Sequence, residues 1–234
     1  MASLTLEIEG VVKSFGGFKA LNGVNISVEK GEIVGLVGPN GCGKTTLVNV
    51  ASGIYSLDMG KILLDGKDIT HMPTHRRVLH GVNRTFQVPK PLSDMTVEEN
   101  IDLAWYFGGK HNFARWSVLE RTNLADTRGK LASMLTTAQQ KRLDLARALA
   151  TNPKVLFVDE LGAGLSPSEL SEISAMLREI AESGVSLVVV EHLLGFLESL
   201  TSRVVVLEAG KEIFEGTLKE AVKNERVIEV FLGG

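Results

Sequence analysis

The sequence predicts an α/β fold: a mixed, mostly parallel sheet, an antiparallel β layer beside it and a helical subdomain inserted in the middle. Residues 155–158, 187–190 and 204–207 are continuously apolar and rich in Val, the pattern of strands covered on both faces. A helix with clear start and stop signals lies between the first two of these runs. Two N-terminal runs instead alternate apolar and polar residues, the pattern of strands with one wet face.

Taken in order, Leu4, Leu6 and Ile8 alternate with Thr5, Glu7 and Glu9, and Val24, Ile26 and Val28 alternate with Asn25, Ser27 and Glu29. Each run predicts a half-buried strand. Residues 33–37 are short and apolar, a buried strand. Leu47, Val50, Ala51 and Ile54 then fall at i, i+3, i+4 and i+7, one face of a helix. Residues 61–64 are extended and closed by Asp65-Gly66. Residues from about 92 to 150 read mostly as helix and hold Trp105, Tyr106 and Trp116. Such aromatics serve either an interface or a small helical core. Ser166 is the predicted N-cap of the next helix, Pro167 suits its first turn and Glu169 completes a capping box. Leu170, Ile173, Leu177 and Ile180 mark its buried face, and Gly184 ends it. The expected organisation is a single domain over 1–234, with a core and β layer in 1–91 and 151–234 and a helical subdomain in 92–150. Residues 227–232 are apolar enough to pack on either the core or a partner, and the sequence leaves that choice open.

A net charge of −3 with no long Lys/Arg run excludes a global basic field for nucleic acid. One Cys allows no internal disulfide, which suits the cytosol. No run approaches 18 consecutive apolar residues, and the N-terminus lacks the pattern of a signal peptide. Any membrane role is therefore expected to come through a partner. His71, His75 and His80 with Arg76 and Arg77 read as a solvated helix face, since no carboxylate or Cys completes a metal set.

The chemistry begins at Gly38, Pro39, Asn40, Gly41, Cys42, Gly43, Lys44, Thr45 and Thr46, which fit the G-x-x-x-x-G-K-[ST] pattern between a strand and a helix. Glycines let backbone amides approach a polyphosphate, and the helix N-terminus adds partial positive charge. Lys44 is expected on the β- and γ-phosphates and Thr45 on Mg²⁺. Cys42 reads as a small loop residue with no His partner for catalysis. Asp159 and Glu160 end an apolar strand, where Asp159 can hold Mg²⁺ through water and Glu160 can act as general base. His192 ends the next strand and is expected near the γ-phosphate. Gln87 follows an extended segment and can offer a polar contact to Mg²⁺ or to the attacking water.

Together these residues resemble the ATPase subunit of an ATP-binding cassette (ABC) transporter, a P-loop NTPase, over nearly the whole chain. The resemblance makes the nucleotide ATP. It implies that Phe15 stacks on adenine, that Gln87 is the Q-loop glutamine and that Asp159 and Glu160 are the Walker B pair. It also implies that His192 is the switch histidine, that residues 163–166 form the D-loop and that the helical subdomain receives the permease's coupling helices. Thr136, Thr137, Ala138 and Gln139 stand where the family carries LSGGQ, the loop that binds the γ-phosphate of ATP held by the opposite subunit. Neither glycine is present and Thr136 replaces the serine; Ala138 adds a methyl where close approach is wanted. Leu161 replaces the usual proline after the Walker B glutamate, and Ser166 stands where a D-loop Asp is common. Phe15-Gly-Gly-Phe-Lys-Ala-Leu-Asn22, Arg84-Thr-Phe-Gln87, Ala163-Gly-Leu-Ser-Pro167 and Arg226-Val-Ile-Glu-Val-Phe-Leu-Gly233 resemble the branched-chain amino acid uptake group. That group also includes importers of other amino acids and of urea or short amides. The stretch 100–136 is short for it, which implies a trimmed permease-facing lobe.

The resemblance implies an ATP-hydrolysing subunit, peripheral on the cytoplasmic face of the membrane. It would pair head to tail with a second ATPase subunit and power permease subunits served by a solute-binding protein. Two other readings stand beside it: a soluble ABC ATPase acting on a macromolecular assembly, and an ATP-binding regulatory module with weak hydrolysis. The altered loop at Thr136 favours the latter; Lys44, Asp159, Glu160 and His192 oppose it.

Overall fold

A computed structural model describes residues 3–109 and 114–232. The chain runs β1 (Leu4–Phe15), β2 (Phe18–Glu29), β3 (Ile33–Val37), α1 (Lys44–Ala51), β4 (Met59–Leu64), β5 (Lys67–Asp68), α2 (Thr74–His80) and β6 (Val82–Arg84). Helices follow: α3 (Val97–Phe107), α4 (Ser117–Arg121), two short 3-10 turns and α5 (Thr137–Ala150). Then come β7 (Val155–Asp159), α6 (Pro167–Glu182), β8 (Ser186–Val190), α7 (Leu194–Leu200), β9 (Arg203–Glu208), β10 (Lys211–Thr217), α8 (Leu218–Ala221) and α9 (Glu225–Leu232).

The alternating runs form an antiparallel sheet in the order β2-β1-β4-β5. Its register aligns Val28, Leu6 and Leu64 in one row and Ile26, Ile8 and Ile62 in the next, all buried. Period-two alternation thus gives the layer one apolar face. The continuously apolar runs form the second sheet, in the order β10-β9-β3-β8-β7-β6, parallel except for the edge strand β10. Its two faces feed different cores. Val34, Leu36, Phe157, Val188 and Val205 pack toward α1 and the antiparallel layer. Ile33, Leu156, Val158, Leu187 and Val204 pack toward α5, α6 and α7. Burial on both faces is why these strands lack polar alternation.

The register of this sheet places the chemistry. Leu36 pairs with Val190, and Val190 pairs with Asp159. The residues just beyond β3, β7 and β8 therefore emerge on one rim, the carboxyl edge of the parallel strands. These are Gly38, Glu160 and Glu191-His192. The strand β6 pairs with β7 through Arg84 and Phe157 and delivers residues 85–87 to the same rim.

Two local expectations are corrected. The helix α1 stops at Ala51, and Ile54 lies beyond it, exposed rather than on its buried face. Arg77 is not on a solvated face. It is buried, and its guanidinium donates to the carbonyls of Val50, Ala51, Thr70 and Met72. A cation thereby closes the negative C-terminal end of the phosphate-loop helix. Helix α6 forms as expected, with a capping box between Ser166 and Glu169 and Pro167 in its first turn. Trp116 packs against the core, while Tyr106 and Phe107 are 81% and 65% exposed. Val227 of α9 packs into the core; Gly233 lies outside the described residues.

Candidate functional site

The phosphate loop folds as a close turn over β9 and β2. A side chain at Gly38 would place its first carbon 2.2 Å from the carbonyl oxygen of Leu207, and one at Gly43 would sit 2.7 Å from that of Ala20. Both glycines also hold positive φ, 147° and 115°. Only glycine combines that backbone with that approach. Gly43 caps α1 without any side-chain hydrogen bond. The first amides of this helix are thus left for a ligand, as anion binding requires. Lys44 is buried and folds back over the loop, its ammonium donating to the carbonyls of Gly38 at 2.7 Å and Pro39 at 2.9 Å. Cys42 is buried with its sulfur 3.8 Å from that ammonium, a packing role consistent with the sequence reading.

Across the rim, the structure brings two predicted residues onto the carboxylate of a third, Glu160. Gln87 donates from Nε2 to Glu160 Oε2 at 2.6 Å, and His192 Nε2 lies 2.9 Å from Glu160 Oε1. Glu160 also adopts a left-handed backbone with φ 47°, its amide donating to the carbonyl of Val190 at 2.9 Å. Such a conformation costs about 1–3 kcal/mol for a non-glycine residue and persists only where the surroundings hold it.

Asp159 is 3% exposed. Burial pushes its carboxyl up from the ordinary range; Arg84 pulls it down, and the neighbouring Glu160 pushes it up further. Arg84 NH2 lies 3.3 Å from Asp159 Oδ2, and its NH1 donates to Asn49 on α1. Arg84 thus joins the phosphate-loop helix to the strand-end carboxylate. The sequence gives only weak notice of it: Arg84 stands out as a flank of Gln87, and neither Asn49 nor Asp159 is near it in the chain. Asp144 of α5 accepts from the amide of Phe86 at 2.8 Å and so anchors the segment leading to Gln87.

The oxygen donors suit a hard divalent cation. Thr45 stands exposed at the start of α1, and Asp159 is a buried carboxylate. Gln87 uses its amide nitrogen on Glu160, so its oxygen is the atom it can offer a cation. A hydroxyl, an amide oxygen and a single carboxylate fit Mg²⁺, which keeps waters and takes further ligands from phosphates. No group of three or more His, Cys, Asp or Glu with metal-binding placement occurs among the described residues. Phe15 lies at the end of β1, exposed, with its ring edge-on to Tyr55 at 5.2 Å and the Lys13 ammonium 5.2 Å from its centroid.

Thr136, Thr137, Ala138 and Gln139 open α5. Thr136 Oγ1 accepts from the amide of Gln139 at 3.3 Å, and Gln139 Oε1 accepts from the amide of Thr136 at 3.0 Å. This is a complete capping box. It uses the Thr136 hydroxyl, which stands in place of the serine of the family's loop. Ala138 is buried.

An uncapped helix behind a glycine turn, facing a strand-end Asp-Glu pair, defines a P-loop nucleoside triphosphatase. The family model described as "ABC transporter" matches residues 21–163, and the chain belongs to that family as an ATPase subunit. It is 38% identical to the "Probable branched-chain amino acid transport ATP-binding protein LivG" of Archaeoglobus fulgidus, over 97% of this chain and 95% of the relative. A solved ATP-binding cassette of an ABC transporter in its ADP conformation superposes with a TM-score of 0.90 at 32% identity, over 99% of each chain. A dimeric cassette in a post-hydrolysis state, bound to ADP and Pi, superposes at 0.80 with 25% identity, over 91% of this chain and 98% of that one.

Proposed function

We propose that this chain hydrolyses ATP to drive a membrane importer of branched-chain or other small amino acids. The observation that carries the hydrolytic part is the Glu160 carboxylate, held by Gln87 and His192 on the rim that also bears the phosphate loop. The solute class rests on the names of relatives similar over nearly their whole length.

ATP is bound through Phe15 on the adenine and through the amides of residues 38–46 and Lys44 on the phosphates. For the phosphates, Lys44 must leave the carbonyls of Gly38 and Pro39. Glu160 takes the proton of the attacking water. His192 holds that carboxylate in place and contacts the γ-phosphate, while Gln87 links it to the nucleotide's state. Thr45, Gln87 and Asp159 would hold Mg²⁺, which supplies positive charge to the phosphate oxygens when bound.

Two copies, or this chain and a homologue, pack head to tail. Thr137 and Ala138 of one then present amides to the γ-phosphate held by the other. Residues 92–150 form the subdomain that meets permease helices. Its exposed Tyr106 and Phe107, stacked edge to face at 5.1 Å, lie beside half-exposed Leu103 in the same helix and suit an apolar contact. No helix among the described residues is long and apolar enough to cross a membrane; in this proposal, attachment at the cytoplasmic face is through those subunits. Reconstitution with the permease and solute-binding protein tests the proposal. ATP-dependent uptake of a branched-chain amino acid, with ATPase stimulated by the permease, is expected. ATPase indifferent to the permease would contradict it.

A further inference from the structure

Lys141 takes no part in the roles assigned so far. It lies five residues after the cap Thr136, on α5, and is 5% exposed. Its ammonium donates to the carbonyl oxygens of Glu160 at 3.3 Å, Leu161 at 2.9 Å and Ala163 at 2.5 Å. The three donors of a lysine thus meet three acceptors in one short loop. Between those carbonyls, the amide of Gly162 donates to Glu191 Oε1 at 2.7 Å. Glu191 is itself buried.

A buried ammonium is costly unless fully paired, and here its partners are backbone atoms of the catalytic loop. Burial makes the Lys141 ammonium easier to deprotonate, while Glu191 and Glu160 oppose this. The loop needs an external brace. Glu160 stands in a left-handed backbone, and Leu161 places no ring constraint on the chain after it.

We propose that Lys141 is a positioning residue for hydrolysis, fixing the backbone of Glu160 from helix α5. This rests on Glu160 being the general base. The helix that opens toward the partner subunit is thereby tied to the base of its own site. The distance along the helix from Thr136 to Lys141 is roughly 7.5 Å, short enough for the two ends to move as one rigid piece.

The test uses the full chain with its permease and the variants Lys141→Met, Lys141→Arg, Glu160→Gln and the Lys141→Met/Glu160→Gln pair. Lys141→Met is expected to lower kcat roughly tenfold or more while KM and the Kd for Mg-ATP stay within about twofold of the parent. Lys141→Arg, which restores a buried cation with several donors, is expected to recover most of kcat. In the Glu160→Gln background, Lys141→Met is expected to cost no further turnover, since its effect passes through Glu160. An undiminished additional loss in that background, or loss of kcat and nucleotide affinity together, would overturn the proposal. So would an Arg variant no better than Met. If Lys141→Met does not fold, Glu191→Gln replaces it, with the same split between kcat and Kd expected. Full turnover by Glu160→Gln alone overturns the general-base assignment instead, which keeps the two failures apart.

Discussion

Two helices of this chain begin where phosphate contacts are proposed, and they are built in opposite ways. At α1 the cap is Gly43, which makes no side-chain hydrogen bond, and the turn before it has no room for a Cβ at Gly38. At α5 the cap is Thr136, and Thr136 and Gln139 satisfy each other's backbone amides. The same partial charge exists at both ends. Only α1 leaves its amides without an internal partner from the cap side chain. A helix N-terminus becomes a strong anion site when the protein declines to cap it, and α5 is capped. In the proposed head-to-tail dimer, the chain would hold a fully formed site of its own and offer its neighbour a weaker one, limited to the amides of Thr137 and Ala138.

The largest expected effect lies in the first region. Glu160→Gln should lower kcat by about 10²–10⁴-fold, the usual range for a general base, while nucleotide binding persists; stopped ATPase assays with a binding titration check this. Next comes Arg84→Met. It removes the part-buried cation beside the buried Asp159 and should destabilise the nucleotide-free chain by about 3 kcal/mol, read by urea denaturation. Mg-nucleotide should recover part of that loss, and no recovery would separate Arg84 from the metal site.

A pH effect follows from Lys141, which faces Glu160 and Glu191. Its proton is held less firmly in the folded chain than in the unfolded one. Its contribution to stability is therefore present above the ordinary lysine range and lost as pH falls through the lowered value. Activity runs the other way, because the neutral amine has too few donors for its carbonyls. The alkaline limb of kcat should begin below the ordinary lysine range, and Lys141→Arg should shift it upward. The smallest effect belongs to the second region. Thr136→Ala should cost about 1 kcal/mol of stability through the lost cap and leave the Kd for Mg-ATP of the isolated chain unchanged. A changed Kd would mean that this loop acts within its own chain.

Much of this site is legible in the sequence because its parts are local. The glycine loop, the strand-end Asp159-Glu160 and the Ser166 capping box are short patterns with fixed spacing. What is hidden depends on distant backbone. Arg77 reads as one of a basic pair on a wet helix, yet its partners are the carbonyls of Val50 and Ala51, brought to it only by the fold. Arg84, part-buried, and Lys141, buried, are hidden for the same reason. Ile54 continues the helical spacing on paper, but α1 ends at Ala51. The T-x-x-Q cap at Thr136 is itself a readable pattern, masked by its position where a phosphate loop is expected.

The most direct test of the contrast mixes two variants that are each inactive. One, Lys44→Ala, keeps the loop at Thr136 but loses its own phosphate contact. The other, Thr137→Glu, keeps its own site but places a carboxylate at the exposed start of α5 and so blocks what it offers. In a mixed dimer, one intact site forms from the two sound halves. The account predicts that ATPase returns on mixing. If the mixture stays as inactive as its components, the two regions do not complete each other across a dimer and the account fails.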